Sequence, residues 1–323
     1  MKVGLVIPLA EDEVLGRTLH YRETRRWAQK AEAMGLDSIW VYDHLLHRFP
    51  GKPTVGFWEA WTILSALAEV TRTCSIGTLV LCTAFRNPAV LAKMAVTLNE
   101  VSDGRLILGL GAGWHRPEFE AFGIPFDHRV ARFEEALRII IPLVRNGQVD
   151  FRGTYYQAPN CEIQPWAGHK ADLSIMVAAR GPRMLRLAAR HADIWNTDWL
   201  GPLSQVAEQR AALRDACAQV GRELATLEIS GGITIAYPEL GQLPAWINSR
   251  DQFVSGFPKE IAECLYSYKQ LGVAHVMCSC YPVTLEVVSR LGDALKEYHD
   301  MVNEPEHHSK ARTQLEAWPS PPS

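Results

Sequence analysis

Residues Arg105–Glu118 read RLILGLGAGWHRPE, and the fold turns on how this stretch is read. Arg105–Leu108 is an apolar, strand-like run. Gly109, Gly111 and Gly113 follow at a spacing of two, and then come Trp114 and the polar turn His115-Arg116-Pro117-Glu118. A strand that ends in glycines lets a flat or phosphorylated group come close to the backbone, because no Cβ stands in the way. A dinucleotide fingerprint does not fit, since the third glycine of G-x-G-x-x-G would fall on Trp114. No helix is expected to start directly here, because Pro117 interrupts. A buried strand of small, closely packed residues explains the same letters. The rest of the chain decides between the two readings.

Working outward, apolar strands alternate with amphipathic helices. Strands are expected at 3–8, 36–42, 74–81, 173–178, 192–196, 227–236 and 273–280, with the glycine strand that begins at 105 and ends at Gly113-Trp114 as the fourth. Helices are expected at 21–34, 57–70, 88–101, 130–145, 181–190, 203–220, 259–271 and 285–302. Phe133, Leu137, Ile140, Ile141 and Val144 recur at helical spacing with charges between them. Gly35 is a natural C-terminal stop, and Pro88 stands where a helix start tolerates proline. Alternation of this kind means a parallel sheet, and eight units are the count of a closed (β/α)8 TIM barrel. A doubly wound sheet would usually need fewer units. Residues 149–163 break the rhythm as an inserted hairpin or loop after the fourth helix. One domain is expected over 1–302, with a disordered tail at 303–323 that is rich in Pro, Ser and His.

The 323 residues are 47% hydrophobic and 21% charged, as in a soluble globular protein, and the formal net charge is −3. With no long basic run, neither nucleic acid nor an anionic membrane is an expected partner. The opening MKVGLVIPLAEDEV has only a short apolar run followed by acids, so a cytoplasmic location is expected. Seven dispersed cysteines read as reduced thiols, and Cys278 and Cys280 as buried strand residues rather than a metal pair.

A barrel of this kind places its active site where strands end and helices begin. Those ends carry Asp43-His44, Thr83–Arg86, Gly113-Trp114, Ala179–Arg183, Trp195–Thr197, Ser279 and Tyr281. His44 is the candidate acid or base. Gly181 and Arg183, with Arg180 and Pro182, form a candidate anion cradle at a helix N-terminus, where free N–H groups, the helix dipole and guanidinium forks favour phosphate. The strand ends offer no convergent His/Asp/Glu set, so no metal is expected.

Together the segments GLDSIWVYDHL (35–45), GTLVLCTAFRNPAVLAK (77–93), SDGRLILGLGAGWHRPEFEAFGIPF (102–126), VAARGPRMLRLAARHADIWNT (177–197) and GFPKEIAECLYSYKQLGVAHV (256–276) carry a resemblance. The chain resembles the bacterial luciferase-like flavin-dependent oxidoreductases, which include FMN monooxygenases and coenzyme F420-dependent enzymes, over about residues 2–300. The resemblance implies a flavin or deazaflavin ring in the mouth of the barrel with His44 at its reactive part. It places Asp43 beside His44, Leu79 and Val80 at a strand-three bulge that in several members holds a non-proline cis peptide, and Ala112, Gly113 and Trp114 along the strand-four lining. It assigns Ala179, Arg180, Gly181, Pro182 and Arg183 to the phosphate turn. Trp40, Trp114 and Trp195 are candidates for an apolar, aromatic pocket, with a place in the core as the equal alternative for each. Glu13, Asp43 and Trp58 are candidate substrate-side residues. Arg180 replaces the first of two adjacent glycines in the F420 pattern.

The implied function is oxygenation of a small organic substrate with reduced FMN, supplied by a separate flavin reductase, and O2. The alternative is F420-dependent hydride transfer. A cofactor-free lyase or isomerase and a non-catalytic flavin-binding barrel are the rivals from other classes. Family members often form homodimers through the helices around 57–70 and 88–100.

Overall fold

The computed structural model describes residues 1–165, 173–201, 203–247 and 253–303. Eight strands form the barrel: β1 (Lys2–Val6), β2 (Ser38–Val41), β3 (Ser75–Thr78), β4 (Leu106–Gly111), β5 (Ser174–Ala178), β6 (Ile194–Trp199), β7 (Glu228–Ala236) and β8 (His275–Tyr281). Neighbours pair in parallel in that order. The circle closes where β8 pairs with β1, with Lys2 opposite His275, and every other seam is between consecutive strands. The expected barrel is therefore present. The helices packed around it are α1 (Tyr21–Ala33), α2 (Ala60–Val70), α3 (Pro88–Val101), α4 (Arg116–Ala121), α5 (Arg129–Asn146), α6 (Pro182–His191), α7 (Leu203–Gln219), α8 (Pro258–Gln270) and α9 (Leu285–Asn303).

The small residues of the strands are explained by what fills the barrel. Val6, Trp40, Ile107, Met176, Ile194 and Met277 form an interior plug, with Tyr42, Leu79 and Val80 packed against it. Trp40 is fully buried. A Cβ at Gly77 would lie 2.3 Å from its Cζ3, so the indole occupies the volume that a side chain there would take. Trp40 is thus a core residue and not part of an open pocket. A second, larger apolar shell lies between the strands and the helices and includes Trp27, Phe133, Leu137, Ile140 and Tyr298.

Local signals set most helix ends. The Glu59 carboxylate accepts the N–H groups of Trp61 and Thr62 at the start of α2, and Asn87 Oδ1 accepts those of Ala89 and Val90 ahead of Pro88 at α3. Arg105, where the quoted stretch begins, donates to the carbonyls of Ala68, Thr71, Cys74 and Ser102, tying the end of α2 to the strands beneath it.

The inserted segment is a hairpin, Gln148–Arg152 against Gln157–Glu162. Its turn hangs on the Glu135 carboxylate, which accepts the N–H groups of Thr154, Tyr155 and Tyr156. All seven cysteines are free thiols, and Cys278 and Cys280 are buried on β8. Among the described residues no helix is long and apolar enough to cross a membrane. The tail expectation, from residue 304 onward, lies outside the described residues.

Two readings of local structure are corrected. Pro117 does not stop a helix. It stands in the first turn of α4, where its missing N–H costs nothing. Strand six does not end at Asn196 but runs on to Trp199, with a shift of register between the two.

Candidate active site

Above the plug, the ends of β2, β3 and β4 meet. The peptide bond between Leu79 and Val80 is cis, at the bulge where the resemblance placed one. Asp43 is buried beside it. Its carboxylate takes both arms of the Arg86 guanidinium, at 2.7 and 3.0 Å, and the N–H of Cys82 at 2.9 Å. Burial pushes this carboxyl up, and the guanidinium opposes the shift. Arg86 also pairs with Glu59. Both oxygens of Asp43 are therefore engaged within the protein, and the residue anchors the loop that carries His44.

His44 itself is at the mouth, 18% exposed at its side chain. Its Nδ1 lies 3.2 and 3.3 Å from the two carboxylate oxygens of Glu118, the third residue of α4. Glu118 is 1% exposed and also accepts the N–H of Leu45 at 3.0 Å. Burial raises its carboxyl. The contacts from His44 and Leu45 outweigh that and leave it below its ordinary value. An ionised Glu118 holds Nδ1 as the protonated nitrogen and leaves Nε2 free for a reacting group.

Aromatic rings surround this pair. His47 lies 4.3 Å from His44 between ring centroids, Phe57 5.4 Å and Trp114 5.7 Å. His47 sits on a two-residue strand, Leu46–His47, that pairs with Val55–Gly56 and forms a small hairpin over the mouth. Its pKa is pushed down to about 4, first by burial and then by repulsion from His44 and His115. His115 is also lowered by burial, and its Nε2 accepts the N–H of Arg48 at 3.0 Å. Trp114 is 57% exposed. The preceding Gly113 has a φ of +73°, and a Cβ there would strike Cys82 Sγ and Phe119 Cζ at 2.6 Å. Ala112 is half-buried against the main core. These histidines meet edge to face and do not converge. Among the described residues no group of three His, Cys, Asp or Glu side chains could hold a metal ion.

The second feature of the mouth is the start of α6. Gly181 precedes the helix with a φ of +74°, and no described residue comes within 4 Å of where its Cβ would be. Pro182 is the first helical residue, so the exposed N–H groups begin at Arg183. Arg183 is bonded at 2.7 Å to Glu134 of α5. Arg180 donates to the Thr197 carbonyl and pairs with Asp198 at 3.6 Å. Ala179 is buried, and its carbonyl receives the indole N–H of Trp195 at 3.0 Å. Trp195 is in the main core behind this turn, 2% exposed, and braces the turn.

The other candidates are spread around the rim. Glu13 accepts the N–H of Ala245, Trp58 donates to the Leu19 carbonyl, and Tyr281 packs edge to face on Trp246.

Sequence reading missed Glu118 as the partner of His44, the roles of His47 and Phe57, and Asp198. Asp198 takes a φ of +74°, which is strained for a residue with a Cβ. Glu118 had a signal: an acidic residue just inside a proline-led helix after the glycine strand. Asp198 had none, because it lies beyond the expected end of strand six.

The described mouth fits a phosphorylated flat cofactor. An open, Cβ-free turn at a helix N-terminus stands at one side, and the apolar Leu79-Val80 ledge over the plug stands at the other.

Comparison with known proteins gives the family. Residues 1–240 match the model of the luciferase-like monooxygenase family, and the chain belongs to that family. It is 36% identical over 179 residues to an F420-dependent glucose-6-phosphate dehydrogenase of Amycolatopsis mediterranei (strain U-32), covering 53% of this chain and 52% of the relative. It is 36% identical over 213 residues to a phthiodiolone/phenolphthiodiolone dimycocerosates ketoreductase of Mycobacterium bovis (strain BCG / Pasteur 1173P2), covering 60% of this chain and 55% of the relative. The matches thus span about half the length of these curated relatives. A solved F420-dependent secondary alcohol dehydrogenase, in complex with an F420-acetone adduct, shares the fold. Its TM-score is 0.75 at 17% identity, with 92% of this chain and 98% of that one covered.

Proposed function

We propose that this member of the luciferase-like monooxygenase family is a coenzyme F420-dependent oxidoreductase that interconverts a secondary alcohol and a ketone. The observation that carries the reading is the His44–Glu118 pair, an imidazole with one nitrogen tied to a buried carboxylate and the other free at the mouth. The names of the two curated relatives, a dehydrogenase and a ketoreductase, support hydride chemistry over oxygen insertion. This preference reverses the order expected from sequence, in which reduced FMN and O2 came first.

Coenzyme F420, when bound, supplies the hydride acceptor or donor. The residues that would hold it are the α6 N-terminus with Gly181 and Arg183, the Leu79-Val80 ledge, and the Ala112–Trp114 lining. The part of His44 is the proton: it takes one from the hydroxyl oxygen of an alcohol or returns one to the oxygen of a ketone. Glu118 fixes its tautomer and steadies the charge that His44 gains. Asp43 and Arg86 hold the loop so that this geometry persists.

The test is anaerobic titration of the purified chain with F420 and, separately, FMN, followed by absorbance and fluorescence. Tight F420 binding and substrate-dependent bleaching of the bound cofactor are expected. Exclusive FMN binding, with O2 consumption when the reduced complex is returned to air with substrate, would return the oxygenase reading, for which Arg180 at a glycine position speaks. Binding of neither cofactor would favour a lyase or isomerase, and binding without turnover would favour a carrier.

A further inference from the structure

We propose that Arg129 is a positioning residue for the mouth: it clamps the carbonyl of Gly113 and so aims Trp114 and Glu118 at His44. This rests on the reading of His44 as the proton-handling group and adds what holds its surroundings in place. Three observations carry it.

The first is the contact itself. Arg129 opens α5, and its Nη1 donates to the Gly113 carbonyl. No backbone N–H reaches that carbonyl among the described residues. No described carboxylate pairs with Arg129 either, whereas Arg132, three residues on, is paired with Asp127 at 3.1 Å. The guanidinium is steered by Phe126, whose ring centroid lies 4.1 Å from its Cζ. Arg116 stacks on the same ring at 4.2 Å but is paired with Glu120. Phe126 meets Phe119 edge to face at 5.1 Å, and the buried Phe119 is a side chain that a Cβ at Gly113 would strike. The contacts from Arg129 through Phe126 and Phe119 thus return to Gly113.

The second is the turn that is held. Crowding excludes a side chain at residue 113, and glycine has the weakest backbone preference of its own. The direction of the chain after Gly113 must therefore be set from outside. That chain carries Trp114, 5.7 Å from His44, and then Glu118, whose carboxylate is bonded to His44 Nδ1.

The third is what α5 gives up. A cation in the first turn opposes the helix dipole. α5 starts with no acid in that turn, no side-chain cap, and His128 at a φ of +51°. Nothing in the stability of the helix calls for an arginine there. The Gly113 carbonyl does.

The experiment uses the full chain without cofactor or substrate and reads two NMR signals. One is the Trp114 resonance in protein labelled with fluorotryptophan, identified by its loss in Trp114→Phe. The other is the His44 ring in protein with nitrogen-labelled histidine, identified by its loss in His44→Ala. Wild type should show one Trp114 line and the Nδ1–H tautomer of His44. Arg129→Ala should split or broaden the Trp114 line and raise the share of the Nε2–H tautomer at least about three-fold, because Glu118 no longer holds Nδ1. Arg129→Lys, which keeps the charge and a donor, should recover part of the wild-type pattern. Arg129 is half-buried at a helix start, so the fold should survive the change, which a thermal melt checks. Arg132→Gln is the control: it loosens the same helix start without touching Gly113, and both signals should stay as in wild type. A wild-type pattern in Arg129→Ala, or the same change in Arg132→Gln, overturns the proposal. Both signals are read without F420, so they decide the clamp whatever the cofactor titration gives. Failure of F420 to bind overturns the cofactor assignment alone.

Discussion

Nδ1 of His44 lies 3.2 Å from Oε1 of Glu118, although 74 residues separate them in the chain. His44 leaves the end of β2, and Glu118 sits in the first turn of α4, beyond β4. The carboxylate is at a helix N-terminus, where the helix dipole favours its charge. It is buried, so its attraction for a protonated imidazole is little screened by water. The pair, the proposed proton-handling unit, joins the ends of two strands that are not adjacent in the barrel.

Glu118→Gln tests that unit. Glutamine keeps an acceptor for the Leu45 N–H but loses the charge. The turnover rate should fall by about 10- to 100-fold with KM nearly unchanged, as for a group that acts through another in the transition state. Steady-state kinetics and a thermal melt check this together. An equal loss in Tm and activity would make Glu118 a folding residue only.

His44→Ala should keep the fold and most of the cofactor affinity, because the α6 turn and the apolar ledge supply that binding. The chemical step should slow by ~10²–10⁴-fold. His44→Asn should recover part of the rate if hydrogen bonding suffices, and little if a proton moves. Single-turnover decay of pre-bound reduced cofactor distinguishes the two. Wild-type rates in both variants would move the acid or base to Glu13, His115 or Tyr281.

Arg183 is held by Glu134 in this structure, so two opposite changes are informative. Arg183→Ala should weaken cofactor binding by about 1–3 kcal/mol, the scale of a charge-assisted hydrogen bond. Glu134→Gln frees the guanidinium and should tighten binding a few-fold. Gly181→Val should be harmful, since φ is +74° and the turn must stay open. Dissociation constants from fluorescence quenching check all three, and no change in any would place the phosphate elsewhere.

His275 predicts a stability profile. It is fully buried on β8, with Nε2 2.7 Å from Ser38 Oγ, which also accepts the indole N–H of Trp40. Burial, with repulsion from Lys2 and the chain's amino group, lowers its pKa to about 3. The unfolded chain binds this proton near pH 6.5 and the folded one does not, so stability is fully present above about pH 6.5 and falls as the pH drops toward 3. The loss from this group at pH 5 should be about 2 kcal/mol. His275→Gln should flatten the Tm profile between pH 6.5 and 4. An unchanged slope would assign the acid sensitivity to other groups, His47 first.

The barrel was legible in the sequence because its signals are local. Each strand is an apolar run, each helix a 3.6-residue stripe, and the helix start at Pro88 and the stop at Gly35 are read within a turn of where they act. The inserted hairpin at 149–163 showed as a break in that rhythm. His44 and the Gly181 turn could be named from position alone, because a parallel barrel brings every strand end to one face.

What the letters could not show is which side chains meet there. Trp40, Trp114 and Trp195 look alike in sequence, but folding plugs the barrel with the first, exposes the second at the mouth and buries the third behind the Gly181 turn. Asp43 looked like a site residue, and its carboxylate proves to be bound by Arg86, 43 residues away. Glu118 was one acid among many until β2 and β4 closed on each other. Helical and strand periodicity is written within a few residues, but a hydrogen bond between loops depends on how the whole sheet curls and closes, and only the tertiary structure decides that.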